Sequence, residues 1–313
     1  MGLQLIPPGI NLDFVGKRHF FVALSTVINL AAIVLLLLVG LNYGVDFAGG
    51  SLIQIKFDKP TNGDQIRKAL TAMDVGEITV QDFGAANLNQ FLVRFEKVKN
   101  IGSLGKRVEE ALNESYGASN HAEVLRVETV GAKVGRDLRL DGFMAVAFAT
   151  VFMGIYIAIR FRNVSWSFGA GAVIALIHDV LVVTGALVLS RLQFDLTTLA
   201  GLLTVIGYSV HDTIIVSDRI REDAAQRRRE PLESVMNRAI NETLSRTLLT
   251  SGTVLVVLLA LLVLGGPILR PFAFTLFIGI ITGTYSSIYI AGPVVLYWEK
   301  GHGANRGAAS RAA

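Results

Sequence analysis

LTTLAGLLTVIGYSVHDTIIV, residues 196–216, is long and apolar enough to cross a bilayer as one helix, and it carries one carboxylate, Asp212. An apolar run of about 20 residues spans the ~30 Å hydrocarbon core. An acidic side chain near the middle of such a helix costs roughly 2.5–3.5 kcal/mol even on forgiving insertion scales. Intramembrane carboxylates are rare, and by default they mark proton or ion paths. The run continues directly into SDRIRE (217–222), where the charge density returns and the span ends.

Outward from this run, the composition agrees. The 313 residues are 52% hydrophobic and 17% charged, with a mean hydropathy of +0.52, which suits a membrane protein better than a larger water-soluble core. There is no cysteine, so disulfide stapling and thiolate chemistry are excluded. Six stretches qualify as spans: 20–40, 142–159, 166–189, 196–217, 247–265 and 271–297. The first follows Lys17 and Arg18 as a signal peptide would, but it is too long for one and lacks a small-residue cleavage site, so it reads as retained.

Positive charge sets the orientation. With residues 1–19 cytoplasmic, the cytoplasmic pieces hold Lys17, Arg18, Arg160, Arg162, the seven arginines between 219 and 246, Lys300, Arg306 and Arg311, whereas the two short outer loops hold Arg191 and Arg270. That asymmetry satisfies the positive-inside rule. It also accounts for the pI of about 9.4 without nucleic acid, which is not expected as a partner. The 218–246 loop and the 298–313 tail then lie in the cytoplasm. Between the first two spans, residues 41–140 form an insert with thirteen basic and thirteen acidic residues. Its pattern predicts strand 51–57, helix 61–73, strands 77–83 and 90–96, helix 103–115 and strand 122–130. This β-α-β-β-α-β order is that of a ferredoxin-like α+β domain, placed on the outer side.

At 100° per residue, Thr197, Gly201, Thr204, Tyr208, His211 and Asp212 fall within an arc of about 100°. The next span aligns Arg246, Thr250 and Thr253, the third Gly171, Ala175, His178, Asp179 and Gly185, and the sixth Thr275, Gly279, Gly283 and Ser286. Small and hydroxyl residues suit close helix packing in a membrane. Packing alone does not explain the carboxylates. Arg246 is the natural ion-pair candidate for Asp212. Asp179 has an adjacent partner in His178, and on a straight helix it lies roughly 10 Å deeper than Asp212, so the two are not expected to touch. His178 and His211 lack the spacing of a metal site and fit better as proton-path neighbours. Pro231 opens a segment, to Leu244, whose apolar residues recur at helical spacing, predicting an amphipathic helix lying along the cytoplasmic interface.

The strings GYSVHDTIIVSDRIRE (207–222), SRTLLTSGT (245–253), GVDFAGG (44–50), ALIHD (175–179) and GGP (265–267) resemble the signatures of the SecF family of bacterial protein-export membrane subunits. The resemblance runs from about residue 12 to 299. It implies an α-helical polytopic membrane protein, a half-transporter of the RND superfamily with six transmembrane helices and one ferredoxin-like periplasmic domain between helices 1 and 2. It implies a place in the bacterial inner membrane and partners in SecD, the SecYEG channel, YajC and a translocating preprotein. The implied energy source is the transmembrane proton gradient, with sodium as the variant in related systems, and no bound cofactor and no enzymatic reaction. By position, Asp212 is the implied proton carrier, with Arg246 and Thr250 as polar partners and His211, Asp179, His178 and Tyr208 in support. One departure stands out: His211 occupies a position where the family commonly has Asn.

Other classes fit less well. Two membrane aspartates suggest an intramembrane aspartyl protease, but GYSVHD is not GxGD and the two depths differ. An RND-type exporter of small molecules or lipids is the main alternative, and it would carry both halves in one chain or pair with itself. A third reading is a non-transducing scaffold in which Asp212 is only a structural ion pair.

Overall fold

The structure, a computed structural model, describes residues 11–71, 73, 75, 76, 78–84, 88–95, 101–161, 166–227 and 229–311. Expectations for residues 1–10, Glu77, Glu96, Arg162 and Arg228, and for the side chains of Arg306 and Arg311, lie outside what is described. The chain divides into two compact units.

The first unit comprises residues 1–42, 144–192 and 197–313. Among the described residues its helices belong to six elements long and apolar enough to cross a membrane: α1 (Arg18–Leu38), α5 (Ala132–Arg160), α6 (Ser167–Ser190), α7 (Leu196–Gln226), α8 (Leu232–Leu264) and a composite last helix. That last element runs as α9 (Gly266–Ser286), a π-helical turn (Ser287–Ala291) and α10 (Gly292–Arg311). Pro293 has no N–H to donate, and its ring crowds the carbonyl of Tyr289 four residues back, so a widened turn fits there. About half of the apolar windows of α6, α7 and the composite helix is buried inside the unit, against less than a fifth for α1, α5 and α8. The interior therefore belongs to α6, α7 and α9. Leu37, Phe143, Val256 and Leu264 are among the large apolar side chains left on the outside, as hydrocarbon contact requires.

Glycines set how closely the inner helices approach. A Cβ on Gly283 would come 3.1 Å from the Ser209 Cβ, and one on Gly279 would meet the Val205 side chain. On α6, a Cβ on Gly171 would lie 2.8 Å from the Ala291 carbonyl oxygen. Without these side chains the backbones pack at short range, which is the usual device where no hydrophobic effect drives helices together.

Two features differ from the sequence reading. Residues 218–226 continue α7 as helix, helped by Arg219 pairing with Glu222 (3.0 Å) and Asp223 (3.3 Å) at i+3 and i+4. The amphipathic helix does not rest separately on the interface, because it is the first part of the 33-residue α8. Its apolar residues Met236, Ala239, Ile240 and Leu244 face the protein core rather than lipid. On the opposite side Asn237 and Asn241 hold the N-terminal segment. Asn237 accepts from the backbone of Phe14 (2.9 Å) and Val15 (3.2 Å), and Asn241 accepts from Leu12 N (2.8 Å). A periodicity count registers an amphipathic face without saying whether lipid or protein covers it.

The second unit comprises residues 43–143 and 193–196. Strands β2 (Gly50–Phe57), β3 (Ile78–Phe83), β4 (Gln90–Phe95) and β5 (Ala122–Val130) form one antiparallel sheet in the order β3-β4-β2-β5. Helices α3 (Gly63–Leu70) and α4 (Leu104–Tyr116) supply the crossovers, which completes the ferredoxin-like order. Asn62 caps α3 by accepting from Gln65 N at 2.9 Å. Strict alternation along β2 and β4 turns Ile53, Ile55, Phe57, Phe91, Val93 and Phe95 toward Ile66, Leu70, Leu104, Val108 and Leu112. At the entrance, Gly49 and Gly50 have φ of +75° and +112°, and a Cβ on Gly49 would lie 2.8 Å from the Ala132 Cα. Only glycine adopts that bend at such a short approach.

Candidate functional site

Asp212 is completely buried between α7, α8 and α9. Its Oδ2 accepts from Ser251 Oγ (3.3 Å) on α8 and Thr284 Oγ1 (3.2 Å) on α9, and these two hydroxyls are 2.8 Å apart. Its Oδ1 is buried without a hydrogen-bond partner, as is Thr247 Oγ1 of α8. A buried carboxylate oxygen without a donor is costly to keep charged. No Lys or Arg pairs with Asp212 among the described residues. Its surroundings are hydroxyls and apolar groups, which tolerate either protonation state but compensate little charge.

The sequence candidates are not all brought together. His211 Nδ1 is 4.0 Å from Asp212 Oδ1, beyond hydrogen-bond range, and its side chain is 63% exposed. Arg246 is exposed on the outside of α8, so it is not the ion-pair partner of Asp212 within this chain. Thr250 is exposed too and donates back to its own helix, to the Arg246 carbonyl at 2.6 Å. The polar residues of α8 that turn inward are Thr243, Thr247 and Ser251. The two stripes, 246–250–253 and 243–247–251, differ by one residue, or about 100° of helix rotation. Periodicity marks both as polar and cannot choose between them. Ser251 and Thr284 were missed for that reason, although Thr284 adjoins Gly283 in the glycine seam of the last span. Tyr208 is half-buried, and Thr204 and Gly207 are exposed beside it. An uncharged but polar outer stripe on α7, with His211 at its end, thus lies on the side of the helix away from the protein interior.

The second carboxylate has the opposite character. Asp179 on α6 is 1% exposed and fully partnered. His178 Nδ1 is 2.9 Å from its Oδ1, and Ser209 Oγ (2.5 Å) and Ser286 Oγ (2.8 Å) donate to its Oδ2. The His178 ring stacks on Tyr285, whose hydroxyl is 2.7 Å from Ser25 Oγ and donates to the Phe21 carbonyl of α1. Asp179 and Asp212 share no hydrogen bond, yet they are served by the same short segments: Ser209 precedes Asp212 by three residues, and Ser286 follows Thr284 by two.

Six membrane-crossing helices, a polar centre built on buried carboxylates, and an α+β domain inserted after the first helix define a multi-pass membrane subunit of transport type. Residues 108–301 match the model for the protein export membrane protein SecD/SecF, C-terminal family, and residues 34–61 match the SecD/SecF GG motif. The second match contains the Gly49–Gly50 bend. Protein translocase subunit SecF of Calditerrivibrio nitroreducens is 42% identical over 297 residues, covering 94% of this chain and 96% of that protein. SecF of Vibrio alginolyticus is 42% identical over 258 residues, covering 82% of this chain and 80% of that protein. The crystal structure of SecDF, a translocon-associated membrane protein from Thermus thermophilus, superposes with a TM-score of 0.82 at 34% identity. It matches 96% of this chain, which spans 40% of that longer SecDF chain. The chain belongs to the SecD/SecF family of protein-export membrane proteins, and its relatives are SecF subunits of protein translocases.

Proposed function

We propose that this chain is the SecF half of a proton-driven export motor, completed by SecD, in which Asp212 takes up and releases the proton. The single observation that carries this reading is the state of Asp212. It is buried, one oxygen lacks a hydrogen-bond partner, and no Lys or Arg among the described residues pairs with it. A carboxylate kept permanently charged would be expected to have both oxygens partnered and a cation beside it.

The outward-facing stripes then gain a role. His211, Tyr208, Arg246 and Thr250 line the side of α7 and α8 that a SecD partner would cover. Sealed under such a partner, Arg246 would become the movable counter-charge, pairing with the carboxylate in one state and leaving it in another. Protonation of Asp212 would have a different free energy in the two states, which is the condition for a proton to bias a conformational change. One elementary charge moved through 100 mV is worth about 2.3 kcal/mol, so a few protons per cycle suffice for a domain movement. The inserted domain would lie outside the inner membrane, the termini in the cytoplasm, and the motion would help draw a preprotein out of the SecYEG channel at a late stage, with YajC as an accessory.

The test uses vesicles containing SecYEG and SecD with this chain, loaded with a preprotein arrested late in transit. An imposed proton gradient should increase completed export with the natural chain, and Asp212→Asn should reduce it to the level seen without a gradient. Stimulation that survives Asp212→Asn would refute the assignment. Stimulation by a sodium gradient at zero proton gradient would keep the site and change the ion.

A further inference from the structure

We propose that the Asp179–His178 pair is a second proton-binding site in the membrane unit, coupled to Asp212 through the residue 284–286 stretch of α9. The proposal builds on the proton-coupling role of Asp212 given above and adds a site that this role does not require.

The case starts from charge. Among the described residues, Asp179 is hydrogen-bonded by His178 on its own helix, Ser209 from α7 and Ser286 from α9, and behind His178 lies the ring of Tyr285, which Ser25 of α1 contacts through its hydroxyl. Tyr289 of the π-helical turn lies against Tyr285, with ring centroids 5.2 Å apart. Asp212 is the next carboxylate along α7. Among the described residues, His178 is the one cationisable group in hydrogen-bond contact with Asp179. With a neutral imidazole and an ionised carboxyl, the pair carries a full negative charge in an apolar interior, an expensive state. One added proton neutralises the pair, whether it forms an O–H bond on Asp179 or an N–H bond on His178. The 2.9 Å separation lets it move between those atoms without a heavy-atom displacement. The pair thus has two accessible states differing by one proton.

Coupling follows from connectivity. Ser286 donates to Asp179 at the last residue before the π-helical turn, and Thr284 donates to Asp212 two residues earlier. Single π-helical turns recur at functional sites. On α7, Ser209 serves Asp179 from one turn before Asp212. A change of charge at Asp179 alters what Ser209 and Ser286 donate to, and both segments also shape the site of Asp212. The outcome is a two-site device in which one proton is held by the Asp212 carboxyl among hydroxyls and the other by a carboxyl–imidazole pair.

Infrared difference spectroscopy of the full chain in lipid vesicles tests this in the Asp212→Asn background. A pH-dependent band of a protonated carboxyl should persist there, disappear in Asp212→Asn/Asp179→Asn, and move to higher frequency in Asp212→Asn/Ser286→Ala, where a hydrogen bond to the carboxyl is lost. Should the Asp179→Asn chain fail to fold, the Ser286→Ala shift makes the assignment by itself. A pH-difference spectrum of Asp212→Asn that Asp179→Asn leaves unchanged in carboxyl and imidazole bands alike, or one indifferent to Ser286→Ala, overturns the proposal. Either of those results leaves the role of Asp212 standing, while a titrating Asp179 combined with export that ignores Asp212→Asn would overturn the transport reading alone.

Discussion

The inserted domain and the membrane unit solve polarity in different ways. In the domain, ladders between β2, β4 and β5 consume the backbone groups, and side chains alternate between a dry core and water, so its buried core is almost purely apolar. In the membrane unit the helices satisfy their own backbones, and the buried side chains include Asp179, Asp212, His178 and a series of serines and threonines. The domain is stabilised by what it excludes from water. The bundle is packed through glycines around polar groups that lipid could not tolerate, and those groups are where a function can be built.

Substitutions separate the two regimes. The largest effect is expected in the domain: Phe95 is fully buried, and Phe95→Ala should cost about 3–5 kcal/mol, read as a lowered denaturation midpoint of the domain's strand signal in the detergent-solubilised chain. An unchanged midpoint would deny the domain a core of its own. In the bundle, Gly171→Ala forces a Cβ against the Ala291 carbonyl and should cost roughly 1–3 kcal/mol, whereas Gly207→Ala, with nothing within 4 Å, should be neutral. Equal melting temperatures for those two variants would contradict close backbone packing at Gly171. Smaller again, Asn237→Ala removes the acceptor for the backbone of Phe14 and Val15, at about 1 kcal/mol, and should speed amide exchange at those two residues without touching the domain.

The smallest effect concerns Glu230, whose carboxyl is held below its ordinary range first by the hydrogen bond from Arg238 and further by Arg227. A depressed carboxyl contributes stability above its unfolded-state pKa and loses it as pH falls through the folded value. Glu230→Gln should therefore lower melting slightly at neutral pH, leave it unchanged at acid pH, and so flatten the decline on acidification. A steeper decline in the variant would reverse the sign.

The same contrast explains how much could be read from the residues. Period-2 alternation placed β2 and β4, and strand 122–130 coincides with β5, because a sheet with one dry face writes its register into the chain. The spans were visible by length. Asp212 was visible because a charge in an apolar run has no ordinary explanation. Its partners were not: Ser251 and Thr284 look like any other small polar residue of a membrane helix, and whether Thr250 or Ser251 turns inward depends on one residue of rotation fixed only by packing against α9. Depth reckoned from straight helices kept Asp179 and Asp212 apart, and it could not reveal that one stretch of α9 serves both.

Proton uptake during export tests the central claim most directly. In vesicles carrying SecYEG, SecD and this chain, an interior pH dye should record proton movement that begins with preprotein transit, and Asp212→Asn should abolish that movement together with gradient-stimulated export. Proton movement and export that both continue at the natural rate in Asp212→Asn would contradict it.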